Sequence, residues 1–315
     1  MLTLGDQWVL LILQHAFLNG SRRFTQWRDL LGISESVLAN RLKEMTEAGI
    51  FRMAMYHDGR RQRQEYLITQ RGLDLWSLLV CMWTWEEQWV TLRDSRLWLE
   101  HLTCRGSTMP LLMCGQCGAF PVSARDTDTV DHSGGRIAGG RLRRHRRATR
   151  SLDSNEVLTY DTQTLAILGD RWSTLVLGAS FMGATTFSAF EDRLGIAPSI
   201  LSERLKLFVD SDVFRMDPDT DRRRRRYRLT PKGLAFFPVF AVMWDWANTH
   251  LASESTGQDL AITHRACGLR LEPVLACSAC HERITRRAIQ FHDRSEQPRF
   301  PSPTSEPGAP LGRLT

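Results

Sequence analysis

Apolar residues recur along this chain at helical spacing, and the same series of segments occurs twice. Trp8, Leu11, Ile12 and Phe17 predict an amphipathic helix stopped by Gly20, and Trp172, Leu175, Val176 and Phe181 predict its counterpart, stopped by Gly183. A short second helix follows over Phe24 to Leu31 and over Phe187 to Leu194, broken by Gly32 and Gly195. The third helix enters through Ser34 as N-cap in the first copy and through Pro198 at the first helical position in the second. Its apolar ridge is Leu38, Leu42 and Met45, matched by Leu201, Leu205 and Phe208.

The pattern then changes in kind. Phe51 to Tyr56 and Gln64 to Thr69 are short strand-like runs around Asp58-Gly59, a hairpin signal. In the second copy the runs are Phe214 to Met216 and Tyr227 to Thr230, around Asp217-Pro218-Asp219. Helix, glycine turn, helix and then hairpin is a winged helix-turn-helix. A long Trp-rich helix closes each unit, from Gly72 to about Val90 and from Gly233 to about His250. Aromatics at that spacing predict core or dimer interface in preference to a ligand box.

The copies also match residue by residue. Leu4-Gly5-Asp6-Gln7-Trp8 returns as Leu168-Gly169-Asp170-Arg171-Trp172, and Arg41-Leu42-Lys43 as Arg204-Leu205-Lys206. So long a period means two globular units rather than a solenoid. At 315 residues the chain is long enough for two cores. The longest apolar stretches, Leu75 to Trp85 and Leu234 to Trp244, are far shorter than the roughly 20 residues a membrane span needs. No membrane partner and no signal peptide are expected, and the predicted location is cytoplasmic. A net charge of +6 makes a polyanion the first partner to consider.

Seven cysteines without an export signal read as metal ligands or thiols rather than disulfides. His101, Cys104, Cys114 and Cys117 follow one spacing, and His264, Cys267, Cys277 and Cys280 repeat it without slippage. Three thiolates and an imidazole suit tetrahedral zinc with no open position, so two structural zinc ions per chain are expected, one in each unit. Unliganded thiols, disulfides and an iron site are the alternatives. Cys81, with Val242 as its counterpart, is expected in the core.

The expected organisation is a winged-helix domain over 1–93, a zinc-ribbon-like Cys/His element over 94–123, a flexible basic linker over 124–154, a second winged-helix domain over 155–252, a second Cys/His element over 253–291 and a disordered tail over 292–315. The fold class is thus mainly α with small β-hairpin wings.

The run Leu-Gly-Asp-Arg-Trp, then Leu-Gly-Ile-Ala-Pro-Ser-Ile-Leu-Ser-Glu-Arg-Leu-Lys, then Tyr-Arg-Leu-Thr-Pro-Lys-Gly closely resembles the HxlR-type winged-helix transcriptional regulators of bacteria. The resemblance covers Leu165 to about His250 and, nearly as well, Leu4 to about Val90. It implies double-stranded DNA as partner and dimerisation through the first and last helices, met here by an intramolecular pseudo-dimer or a homodimer. Family members often carry a cysteine about nine residues before the Leu-Gly-Asp motif. That place falls near Thr159, so thiol sensing there is not implied.

With Leu38 and Leu42 turned inward, the third helix presents Ser36, Asn40 and Lys43, flanked by Arg41; the equivalents are Ser199, Glu203, Lys206 and Arg204. Such a helix fits the major groove, where Asn and Arg make bidentate base contacts. The difference between Asn40 and Glu203 predicts that the two copies read different bases. The wings add Arg60, Arg61 and Arg63 in one copy and Arg222, Arg223, Arg224, Arg225 and Arg226 in the other, placed for phosphate or the minor groove. The alternatives are a zinc-stabilised protein-interaction adaptor that has lost DNA binding, and a zinc enzyme. The retained basic wings count against the first, and the lack of a vacant metal position or catalytic motif counts against the second.

Overall fold

The computed structural model describes residues 4–59, 61–90, 97–131, 162–217, 225–251 and 260–294. In the first copy α1 (Gln7–Leu18), α2 (Phe24–Leu31) and α3 (Glu35–Glu47) precede a hairpin of β1 (Phe51–Asp58) and β2 (Arg61–Ile68). A single turn, α4 (Gln70–Leu73), leads into α5 (Trp76–Trp89). Four short strands follow: β3 (Leu97–His101), β4 (Gly106–Ser107), β5 (Leu111–Cys114) and β6 (Thr127–Asp131). The second copy adds α6 (Thr162–Leu168) before α7 (Arg171–Phe181), α8 (Phe187–Leu194), α9 (Pro198–Asp210), β7 (Phe214–Asp217), β8 (Arg226–Leu229), α10 (Pro231–Leu234) and α11 (Phe237–Leu251). It ends in β9 (Leu260–His264), β10 (Pro273–Ala276) and β11 (Ile289–Asp293).

The helix-turn-helix forms in both copies for the same reasons. Gly32 and Gly195 take the left-handed conformation, with φ of 56° and 57°, which ends α2 and α8 and lets Ile33 and Ile196 turn into the core. Leu38, Leu42 and Met45 of α3 are fully buried, as are Leu201, Leu205 and Phe208 of α9. Trp27 donates its indole N–H to the Ile12 carbonyl at 3.1 Å and packs against Phe51 and Tyr66, pinning the hairpin to the helices. Phe190, Phe208 and Phe214 fill that place in the second unit. Small antiparallel sheets on a mainly helical body, each hairpin following a helix-turn-helix, are consistent with a winged helix in each copy.

The two units share an interface with approximate twofold symmetry. Helices α5 and α11 pack together, so the Trp-rich helices are interface elements. Trp85 donates to the Lys232 carbonyl at 3.0 Å, and its counterpart Trp246 donates to the Arg71 carbonyl at 2.9 Å. Beyond the helices the two units exchange strands: β3 pairs with β11, and β9 pairs with β6. Strands β5 and β10 pair across the axis, with Leu112 opposite its own counterpart, Leu275. A self-matched contact of this kind is what an isologous interface produces.

Three expected boundaries shift as a result. The linker does not begin at 124, because Ala124–Asp126 forms a 3-10 turn and β6 is ordered by pairing with β9. The second Cys/His element does not end at 291. His292 hydrogen-bonds Glu100 at 2.8 Å and Arg294 pairs with Glu87, so the tail begins later. The expected closing helices are each split into a short turn and a long helix. The rest of the linker, Thr159 included, and the tail beyond residue 294 lie outside the described residues.

Candidate nucleic-acid interface and metal centres

Ser36, Asn40 and Lys43 lie exposed along α3, and Ser199, Glu203 and Lys206 lie exposed along α9. Arg41 and Arg204 do not join them, which corrects the expectation that they flank the DNA-facing surface. Arg41 is 6% exposed and Arg204 7%, because each turns inward to an aspartate at the start of its own unit. The Arg41 Nη2 to Asp6 Oδ2 distance is 2.7 Å, and the Arg204 Nε to Asp170 Oδ2 distance is 2.6 Å. The periodicity that placed them outside followed only the apolar ridge. A buried charged side chain with its partner on another element shares that ridge without announcing itself.

The wings are exposed but partly neutralised. Arg61 and Arg63 stand on β2, with Arg63 3.2 Å from Asp58. On β8 Arg226 is exposed and Arg225 precedes the strand, half-buried, while Arg228 pairs with Asp217 at 2.6 Å. Arg60, Arg222, Arg223 and Arg224 lie outside the described residues. Among the large exposed apolar side chains, Met53 and Met55 stand on β1 and Met216 on β7, so the hairpins are apolar as well as basic.

The eight Cys/His residues form two clusters, in a different grouping from the expected one. His101 and Cys104 of the first unit meet Cys277 and Cys280 of the second; Cys114 and Cys117 of the first meet His264 and Cys267 of the second. The expectation of a self-contained site in each unit is therefore corrected: every cluster takes His-x-x-Cys from one unit and Cys-x-x-Cys from the other. The strand exchange is the cause, since β3 and β9 end at His101 and His264 and each is paired to a strand from the other copy.

The donor sets fit a tetrahedral ion. Ligand atoms in each cluster lie within 4.8 Å of one another. His101 Nδ1 is 3.3 Å from the sulfurs of Cys104 and Cys280, and the sulfurs of Cys104 and Cys277 are 3.8 Å apart. In the second cluster His264 Nδ1 is 3.3 Å from Cys117 and 3.4 Å from Cys267. A tetrahedron with zinc–sulfur bonds of about 2.3 Å has edges of about 3.7 Å between sulfurs. Hydrogen bonds at the first cysteine of each knuckle favour its thiolate form. Burial raises the Cys277 pKa, but the Thr108 hydroxyl and the N–H groups of Cys280 and Ala279 outweigh it and bring the thiol down to about 6. Cys114 is lowered likewise, against its burial, by the N–H groups of Cys117 and Gln116. Cys81, in contrast, is a buried core thiol of α5, and burial pushes its pKa far up.

Sequence reasoning passed over Asp6 and Asp170 as site residues, although the repeat of Leu-Gly-Asp was the signal that could have found them. Asp6 caps α1 and Asp170 caps its counterpart α7: Asp6 Oδ1 accepts from the N–H groups of Trp8 and Val9 at 3.0 and 3.2 Å, and Asp170 Oδ2 accepts from that of Ser173 at 3.0 Å.

A helix-turn-helix with a basic hairpin, present twice about one axis, places the molecule in the class of helix-turn-helix DNA-binding proteins. The HxlR-like helix-turn-helix family matches residues 3–94 and 167–255, more than half of the chain, and the chain belongs to that family, which is one of transcriptional regulators and not of enzymes. Uncharacterised HTH-type transcriptional regulators of Mycobacterium tuberculosis and Mycobacterium bovis are each 33% identical over 128 residues, covering 40% of this chain and 80% of the relative. A solved Pseudomonas aeruginosa structure described as a candidate transcription factor is 25% identical with a TM-score of 0.30, covering 46% of this chain and 92% of that one. A second solved structure, also described as a candidate transcription factor, is 27% identical with a TM-score of 0.26, covering 39% of this chain and 90% of that one. Among the described residues, no helix is long and apolar enough to cross a membrane.

Proposed function

We propose that the chain is a sequence-specific transcriptional regulator acting in the cytoplasm, in which one polypeptide reads two DNA half-sites as an intramolecular pseudo-dimer. The observation that carries this reading is the duplicated exposed face, Ser36, Asn40 and Lys43 on α3 and Ser199, Glu203 and Lys206 on α9, on units that share a twofold-like interface. Inserted into successive major grooves, about 34 Å apart, the two helices meet one face of a duplex. Asn40 offers the bidentate amide that pairs with adenine, whereas Glu203 accepts from the cytosine amino group. The preferred operator therefore has two unlike halves. Arg61, Arg63, Arg225 and Arg226, with Arg60 and Arg222 to Arg224 beside them in sequence, supply phosphate or minor-groove contacts.

Each Cys/His cluster holds a structural zinc ion in this reading, His101, Cys104, Cys277 and Cys280 around one and Cys114, Cys117, His264 and Cys267 around the other. Four protein ligands leave no position for water or substrate, so the ions order the exchanged strands rather than react. Selection of bound duplexes from a random library, followed by titration of the selected site against random DNA, tests the reading. One enriched site with two unlike halves supports it. Equal affinity for both DNAs, or for neither, overturns it and leaves the protein-interaction adaptor.

A further inference from the structure

The Leu-Gly-Asp motif does more than start a helix. In both copies it lies where the two units cross. Asp6 and Asp170 face each other in an isolated antiparallel bridge, and the Gln7 N–H donates to the Gly169 carbonyl at 3.2 Å. The glycines permit the approach: a Cβ at Gly169 would lie 2.6 Å from Gln7 Cβ, and one at Gly5 would lie 3.2 Å from Arg171 Cα. Gln7 and Arg171 are counterparts, so each glycine is crossed by the same position of the other unit. A Cβ at Gly169 would press on Gln7 and on the Leu165 carbonyl, 2.4 Å away, whereas at Gly5 the contact is tight but closer to ordinary packing.

From this crossing each aspartate reaches its own recognition helix. Asp6 spends one oxygen on the N-terminus of α1 and the other on Arg41 of α3. Asp170 bonds the Ser173 N–H and hydroxyl at 3.0 Å each, and Arg204 of α9. The result is a continuous polar path: α3, Arg41, Asp6, the crossing, Asp170, Arg204, α9. Charge-assisted bonds with little exposure are directional and resist bending, unlike an apolar contact that slides. Both guanidinium groups are nearly buried, so neither is free to contact DNA instead.

We propose that this path fixes the separation and angle of the two recognition helices, making Asp6, Asp170, Arg41 and Arg204 positioning residues that determine which half-site spacing the protein accepts. The proposal rests on the DNA-reading role proposed above. A rigid joint at the Leu-Gly-Asp crossing, added to the α5–α11 contact and the exchanged strands, holds the two readers as one ruler, because a duplex with misplaced half-sites can then engage only one helix at a time. Base contacts remain with the exposed residues, and the joint contributes geometry alone.

Two measurements on the full chain test it. In the first, nitroxide labels carried by a genetically encoded ketone are placed at Ala39 and Ser202, exposed counterparts on α3 and α9, and the inter-label distance is measured without DNA. The unaltered joint gives one narrow distribution. Asp6→Asn with Asp170→Asn, which retains helix-capping oxygens but loses the charge, broadens it, as does Arg41→Gln with Arg204→Gln. In the second, the selected duplex is offered with base pairs inserted or removed between its halves. The native chain prefers one spacing by about tenfold or more, and the variants accept neighbouring spacings nearly equally while still binding an isolated half-site. Circular dichroism and metal content confirm that the variants are folded. Unchanged distance width, or unchanged spacing preference in folded variants, overturns the joint. A narrow distance in a native chain that binds no duplex overturns the DNA reading while leaving the joint intact.

Discussion

Arg41 and Asn40 are neighbours on one helix, and burial separates them. Asn40 is exposed, while Arg41 is buried against Asp6 and Glu44. Replacing Arg41 by Ala removes the ion pair with Asp6, whose partly exposed carboxylate still accepts from the Trp8 and Val9 N–H groups, and losing a hydrogen bond between charged groups costs about 1–3 kcal/mol. The expected outcome is a lower urea midpoint and a relaxed preference for half-site spacing, with binding to an isolated half-site kept at equal folded fraction. Asn40→Ala leaves the midpoint unchanged and costs about 1–3 kcal/mol on the cognate site, with little loss on random DNA. Binding titrations on both duplexes with a parallel urea melt separate the two. Equal losses for Asn40→Ala on both DNAs would reduce it to a backbone contact. The sequence could not distinguish these roles, since an inward-facing arginine becomes visible only when its aspartate, distant in sequence, is placed beside it.

At the scale of elements, the helices were legible and most of the strands were not. A helix carries its own period, so Leu38, Leu42 and Met45 announce α3 without reference to anything else. The wing hairpins are nearly as plain, because both strands and the turn are local. Strands β3, β5, β6, β9, β10 and β11 have four or five residues each and find their partners in the other copy. Nothing local records such pairing, and a two-stranded ribbon so short is marginal without further support. α6 was missed as well, since the periodic signal began only at the Leu-Gly-Asp motif. The wings make a direct prediction. Arg61→Ala with Arg63→Ala should weaken binding to all duplexes and lower the slope of log affinity against log salt by about 0.9 for each phosphate left without its arginine. Filter binding from low to moderate salt checks it, and an unaltered slope places these arginines away from phosphate.

For the whole molecule, the metal centres show what spacing can and cannot reveal. Eight ligands were identifiable from two identical His-x-x-Cys and Cys-x-x-Cys series. Their grouping was not, because the spacing is the same whether a unit closes on itself or exchanges ends. The structure places ligands from both units in each cluster, so metal would cross-link the halves twice. Paired substitutions separate the two groupings. His101→Ala with Cys277→Ser strikes one shared cluster and should leave about one zinc ion per chain. His101→Ala with Cys114→Ser strikes both clusters and should leave almost none, although the two residues lie in one unit. Elemental analysis reads the difference, and the reverse result would return each site to its own unit. Chelation should likewise destabilise the exchanged strands of both units together, seen as simultaneous loss of amide protection in β3 and β9.

By folding its two copies against each other, one chain brings two helix-turn-helix units together. Native mass spectrometry of the complex with the selected duplex counts every component in one spectrum. One chain, one duplex and two zinc ions are expected, with no higher species as concentration rises. Two chains on each duplex would contradict it, as would a metal-free chain that binds the same site equally well.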